Sequence, residues 1–278
     1  MNKKKTNHGY INNSYIFIKE QTMQIIDTHA HYDDDAYQED GAELLGELQA
    51  GGVTHIVNCA SDYGSIARTL KLTEEFPHVY AALGIHPQNG FDYSDEVEAE
   101  LKHLLRRDKV VAVGEIGLDY YWAENPPRAV QKEILLRQLG VARELDKPVI
   151  LHVREAYGDM MDVLRANSDL KAVLHSFSGS PEIGREAVEL GFYLGIGGVA
   201  TFKNAKKLPE VIKETPLERL LTETDAPYLT PAPFRGRRNR SDHISFVIEK
   251  IAEFKGLSTA KTSEALYQNA LRFFSFPS

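Results

Sequence analysis

Short apolar runs recur along the chain, most of them stopping at or near an imidazole, a carboxylate or a glycine, with amphipathic stretches between them. Ile25-Ile26 leads through Asp27-Thr28 to His29-Ala30-His31. Val53–Asn58, Val79–Leu83, Val110–Gly114, Pro148–Leu151, Ala172–Leu174, Phe192–Ile196 and Arg219–Thr224 repeat the pattern. Runs this short and this rich in β-branched residues predict buried strands rather than helices. The stretch Ala42–Ala50 carries Leu44, Leu45 and Leu48 on one helical face and stops at Gly51-Gly52. Helices are also predicted over Ser65–Glu75, Val97–Arg107, Tyr157–Ala166 and Pro181–Leu190, where Pro181 suits a first turn. Arg128–Asp146 is a longer one, with Val130, Ile134, Leu135, Leu139, Ala142 and Leu145 at helical spacing. Ser241 or Asp242 can cap a helix carrying Ile244, Val247, Ile248, Ile251 and Phe254 and stopped by Gly256. A last helix runs from about Ser258 to Phe274.

Eight strands alternating with helices over roughly 250 residues predict the α/β class and a (β/α)8 barrel. A doubly wound open sheet shares the alternation. The polar residues at the strand ends decide between them, because the ends of strands one, four, five, six and eight meet at one point only in a ring. Barrel enzymes build their sites at that C-terminal face. The predicted domain is therefore residues 23–278. Residues 1–22 read as an extension, disordered or foreign to the barrel. They start basic, with Lys3-Lys4-Lys5, but Tyr15–Ile18 is too short for the apolar part of a signal peptide. Met23 could itself be a start.

Composition narrows the class further. An apolar share of 42% suits a globular core, and a net charge of −8 argues against a wholly basic nucleic-acid coat protein. No apolar run approaches the ~18 residues of a membrane helix, so no membrane partner is expected. Cys59 is the only cysteine, which rules out an internal disulfide and fits a reducing, cytoplasmic setting. A monomer is expected.

His29 and His31 lie two positions apart, so in extended chain they point to one side. Glu115, His152, His175 and Asp225 follow other strands. Mixed imidazole and carboxylate ligands suit transition-metal ions better than Ca²⁺. Six ligands exceed what one catalytic ion needs and match two ions sharing a carboxylate. Glu115 is the natural bridge, with His29, His31 and Asp225 on one ion and His152 and His175 on the other. Two ions ~3.5–4 Å apart can acidify a water and steady both oxygens of a displacement. Asp225 can take the water's proton. His8, His55, His78, His103 and His243 read as structural or surface residues.

These stretches resemble the TatD family of metal-dependent deoxyribonucleases. The resemblance rests on His29-Ala30-His31, Gly114-Glu115-Ile116-Gly117-Leu118-Asp119, His152-Val153-Arg154, His175-Ser176-Phe177-Ser178-Gly179 and Thr222-Glu223-Thr224-Asp225-Ala226-Pro227. It runs from about Met23 to the C-terminus. It implies an amidohydrolase-type barrel, two divalent ions (Zn, Mn, Mg, Ni or Fe) and hydrolysis of DNA phosphodiesters, with exonuclease action at single-stranded or frayed ends. Glu115 and Asp225 are the expected catalytic carboxylates.

Further residues read as substrate contacts. Arg154 sits two positions after His152, and His86 follows strand three and faces the same mouth. Ser178, beside Ser176 and Gly179, offers donors to an anion. Arg235 and Arg237 belong to a run with four arginines in six residues, Arg235–Arg240, which is expected at the mouth. Asp119 and Tyr120 divide between core or lid packing and substrate contact. The acidic loop Asp33-Asp34-Asp35 reads as solvated. Two other functions compete: an amidohydrolase-type enzyme acting on a small amide, ester or lactone, and a metal-binding partner protein without catalysis. Several such hydrolases bridge their metals with a modified lysine at strand four, where this chain has Glu115.

Overall fold

The computed structural model describes residues 23–277; the predicted extension, residues 1–22, lies outside them. The elements run β1 (Ile25–Ala30), α1 (Gly41–Ala50), β2 (Val53–Cys59), α2 (Tyr63–Glu75), β3 (Val79–Leu83) and α3 (Asp95–Leu104). They continue with β4 (Val110–Asp119), α4 (Arg128–Glu144), β5 (Val149–Arg154), α5 (Tyr157–Arg165), β6 (Ala172–Leu174) and α6 (Pro181–Glu189). The last are β7 (Tyr193–Ile196), α7 (Leu208–Glu214), β8 (Leu220–Thr222), α8 (Ile244–Lys255) and α9 (Thr259–Phe274). The eight strands form one sheet in sequential order, and each successive pair is parallel. Beyond the end of β8 the chain returns to β1: a parallel bridge joins Ala30 to Ala226, His31 N–H donates to Ala226 O at 2.7 Å, and Asp225 N–H donates to His29 O at 2.9 Å. This makes the (β/α)8 barrel.

The core has two layers. The larger cluster packs residues such as Leu45, Ile56, Leu83, Leu135 and Phe192 between strands and helices. The smaller gathers Ile26, Val57, Val111, Ile150, Val173 and Leu221 with Phe273 and Phe274 of α9, so the last helix is packed on the barrel's own interior residues. Both layers are β-branched and leucine-rich, as parallel strands buried on both faces require.

Several sequence expectations are corrected. β4 continues to Asp119, so Glu115 lies inside the strand and not at its end, and Gly117–Asp119 is strand rather than loop. His152 is likewise inside β5. One helix, α7, was not anticipated; seven residues with Pro209 near the start give no readable period. Gly117 shows why the strand can continue there. A Cβ on it would lie 2.0 Å from the carbonyl oxygen of His152, so only glycine lets β4 approach β5 at the site.

His78, just before β3, is buried, and neither of its ring nitrogens has a hydrogen-bond partner among the described residues. Burial first, and the nearby Lys109 charge second, push its pKa down to about 4. An unfolded histidine titrates near 6.5. The unfolded chain therefore binds more protons between these values, so this contribution is intact above 6.5 and is lost as pH falls through 4, roughly 3 kcal/mol in all. His78→Leu should lose less stability than the wild type on acidification, measured as the shift in urea midpoint from neutral pH to about 4.5. Equal shifts would show that His78 does not set the acid limb.

Candidate metal centre

At the C-terminal face of the barrel, six side chains converge from β1, β4, β5, the end of β6 and the chain after β8. β1 brings His29 and, just past its end, His31. A register shift between Asp27 and Ala30 lies in that stretch of β1, and another in β4 spans Val113 to Ile116. Such bulges re-aim side chains, and each one here falls beside a ligand candidate. Asp225 has φ 57, a left-handed conformation that aspartate tolerates better than most residues, and its N–H bond to His29 O ties it to β1.

The Nε2 atoms of His29 and His31 are 3.0 Å apart. His31 Nδ1 is 2.8 Å from Cys59 O, which can only accept, so Nδ1 carries a proton and Nε2 is the atom turned toward the other ligand candidates. His29 Nδ1 faces the Cys59 sulfur at 3.4 Å. Glu115 Oε2 lies 3.4 Å from His29 Nε2 and 3.7 Å from His31 Nε2, and Asp225 Oδ1 lies 3.6 and 3.5 Å from the same atoms. Two imidazole nitrogens and two carboxylate oxygens turned to one point are a donor set of the kind a divalent transition-metal ion takes. These residues therefore fit a divalent ion.

The other Glu115 oxygen, Oε1, is 2.7 Å from both His152 Nδ1 and His175 Nε2, which are 3.3 Å from each other. His152 Nε2 points at Asp119 Oδ2 at 3.3 Å, an arrangement that leaves Nδ1 free to bind. Burial alone would raise the Glu115 pKa, but the surrounding His175 and His29 charges hold it well below the usual carboxylate range. It is thus an ionised carboxylate with one oxygen toward each imidazole pair.

A further imidazole, His86, reaches the same face, and the sequence placed it outside the ligand set. Its Nε2 is 3.7 Å from Glu115 Oε1, and its ring lies 4.3 Å from that of His152. Its Nδ1 accepts from Gln88 N–H at 3.2 Å, and burial followed by the His152 charge pushes its pKa down to about 3. A neutral ring accepting at Nδ1 carries its proton on Nε2. His86 is therefore arranged to donate from Nε2 toward the site, and its ligand atom also lies within 4.8 Å of those of Glu115 and His152.

Above these residues opens a cavity of about 970 Å³. His31, Glu115, His152, His175, His86 and Asp225 all reach it. Arg154 and Ser178 line it as expected. Arg235 and Arg237 do not: the Arg235 guanidinium stacks 3.7 Å from the Phe202 ring, and that of Arg237 lies 5.9 Å from Phe234. Of their neighbours, Arg238 is paired with Asp40 ahead of α1, and Arg240 with Asp242 and Glu47. The segment after Asp225 passes the mouth only at Tyr228 and Leu229, then moves away.

Sequence reasoning missed three further cations that line the cavity, Arg68, Lys206 and Lys207. The signal was present, since Lys206-Lys207 follows strand seven at the same end of the barrel. It also missed Glu223, buried behind the site, whose carboxylate accepts from Ser176 N–H and lies 3.7 Å from His175 Nδ1. Asp27 was overlooked too. Its buried carboxylate accepts from Thr224 N–H and Oγ1 and from Ser241 Oγ, tying β1 to the chain after β8. Burial pushes its pKa up to about 7, against those hydrogen bonds. The acidic loop is not fully solvated either: Asp33 accepts from the Asn58 side chain, and burial raises its pKa.

The family model described as "TatD related DNase" matches residues 26–275. The chain belongs to the TatD family of metal-dependent hydrolases. A Bacillus subtilis relative, named as the uncharacterized metal-dependent hydrolase YabD, is 41% identical over 252 residues, covering 90% of this chain and 98% of its own. The crystal structure of YjjV, a TatD homologue from Escherichia coli K12, superposes with a TM-score of 0.86 at 35% identity, covering 92% of this chain and all of that one. A TatD family hydrolase from Entamoeba histolytica shares the fold at 22% identity and a TM-score of 0.83, covering 92% of this chain and 99% of that one. Membership of this TatD family makes the chain a metal-dependent hydrolase. No described helix is long and apolar enough to cross a membrane.

Proposed function

We propose that this TatD-family hydrolase cleaves the phosphodiester bonds of DNA at single-stranded or frayed ends, with two divalent ions sharing Glu115. The observation that carries the reading is the division of that carboxylate. Oε2 faces His29 and His31, and Oε1 faces His152 and His175. Bound ions would supply a more acidic water and neutralise charge on the phosphoryl oxygens.

The chain's own residues supply the rest. Asp225 stays ionised: burial would raise its pKa, but a hydrogen bond from His31 and the nearby imidazoles lower it. It accepts the proton of the attacking water as the new P–O bond forms and the bond to the leaving oxygen breaks. His86 Nε2–H donates to a phosphoryl or leaving oxygen, and the leaving alkoxide is released with a proton from solvent. Arg154, Lys206 and Lys207 meet the flanking phosphates. Asp33, Asp34, Asp35 and Asp62 crowd another part of the cavity wall and repel a strand that tried to run across it. That asymmetry favours an end over an internal site, hence exonuclease action.

The test is metal-dependent cleavage of end-labelled single- and double-stranded oligonucleotides, beside a panel of small amides and lactones. Progressive shortening of the single strand supports the proposal. Intact oligonucleotides with a hydrolysed amide or lactone would replace it with the small-molecule reading.

The cation placement gives a further expectation. The double variant Lys206→Ala/Lys207→Ala should flatten the dependence of log affinity on log salt by ~0.7 for each phosphate that is no longer neutralised. Arg235→Ala/Arg237→Ala should flatten it less, because those arginines stand off the cavity wall. Oligonucleotide anisotropy titrations from low to moderate salt decide between them, and the reverse order would restore the arginine loop to the substrate path.

A further inference from the structure

The loop after β4 carries an exposed aromatic pair that the reaction has not used. Tyr121 is 53% and Trp122 42% exposed, and their rings meet edge to face at 4.7 Å. Arg154, which lines the cavity, lays its guanidinium 4.0 Å from the Tyr121 ring and 5.4 Å from that of Trp122. Two large aromatics left in water beside a cavity-lining arginine give up apolar burial that the fold could have used, so their exposure needs a reason.

Their placement is fixed relative to the metal centre. Asp119, the last residue of β4, uses one carboxylate oxygen for His152 Nε2 and the other for the N–H of Tyr121. Tyr120 N–H donates to Arg154 O, and Gln131 holds both the N–H and the carbonyl of Asp119. The aromatic pair is thus two or three residues from a carboxylate that orients a ligand candidate. The backbone at Tyr121 cannot shift without disturbing that contact.

We propose that Tyr121 and Trp122, with Arg154 between them and the cavity, form a stacking station for a nucleobase of a single-stranded end. Charge complementarity selects this occupant: Arg154 and the two lysines Lys206 and Lys207 draw a phosphate chain into the same cavity, and the bases of that chain then lie at the rim. Every base has a π-face, so such a platform binds single strands without reading sequence. In a duplex the faces are already occupied by neighbouring bases, which gives a physical reason for preferring frayed ends. The proposal rests on the phosphodiesterase reading.

Trp122 is the only tryptophan of the chain, so the protein's own emission reports on the station. The experiment mixes the metal-loaded protein rapidly with a deoxyadenylate octamer, or with an abasic octamer of the same backbone, and records tryptophan fluorescence before turnover. Binding is followed in parallel by anisotropy of labelled octamers. Quenching by the base-carrying octamer but not by the abasic one is the expected result. Trp122→Ala should weaken the deoxyadenylate octamer about 5-fold or more and the abasic octamer much less, with Trp122→Phe recovering most of the loss. Equal emission with both octamers bound, or equal losses on both in Trp122→Ala, would overturn the station while leaving the cleavage reading intact. Binding of neither octamer and cleavage of none would overturn both.

Discussion

Glu115→Ala should lose more bound metal and more activity than any other single substitution of a ligand candidate. Glu115 contributes an oxygen to each imidazole pair, so its removal opens both halves of the centre at once. It also removes the carboxylate that stands between four imidazoles, leaving less negative charge to hold a cation. Orienting partners that do not touch a metal typically cost 10- to 100-fold when removed, so the loss here should exceed ~100-fold in kcat/KM. His29→Ala leaves the His152–His175 half intact and should retain more metal. Elemental analysis of the purified variants beside their rates provides the check. Glu115→Ala with its metal complement unchanged would remove it from the bridge.

Asp119→Asn should give a smaller but still large loss, and of a different kind. Asp119 touches no proposed ion. It accepts from His152 Nε2 and from Tyr121 N–H, and it is almost wholly buried. An amide keeps the shape but can turn its nitrogen toward His152, favouring the tautomer with the proton on Nδ1, the atom that faces Glu115. The expected cost is ~10- to 100-fold in metal affinity or rate. Rescue by raised metal concentration would mark the effect as one of affinity, whereas an unchanged metal titration with wild-type rate would show that His152 needs no such support.

How much of this was legible in the sequence follows from what each residue depends on. The barrel was, because parallel strands buried on both faces read as apolar runs whatever their partners. The ligand candidates were, because an imidazole or a carboxylate ending such a run is unusual in a core. The depth of Glu115 and His152 inside their strands was not. It depends on Gly117 accepting the carbonyl of His152 at close range, a tertiary contact with no local signature. Arg235 and Arg237 were misplaced for a related reason. Sequence gives the face from which the loop after β8 departs, at Tyr228 and Leu229, but not its later path, which the pairing of Arg238 with Asp40 and the stacking of Arg235 on Phe202 help to set. Glu223 was unreadable in its role. Its contact with the residue after His175 joins two segments 47 positions apart.

The central claim is that Glu115 holds two ions, one toward each imidazole pair. A crystal of the wild-type protein grown with Mn²⁺ and measured at the manganese absorption edge tests it most directly. The account predicts two anomalous peaks ~3.5–4 Å apart on either side of the Glu115 carboxylate, one beside His29, His31 and Asp225 and the other beside His152 and His175. A single peak, or two that leave Glu115 uncoordinated, would contradict it.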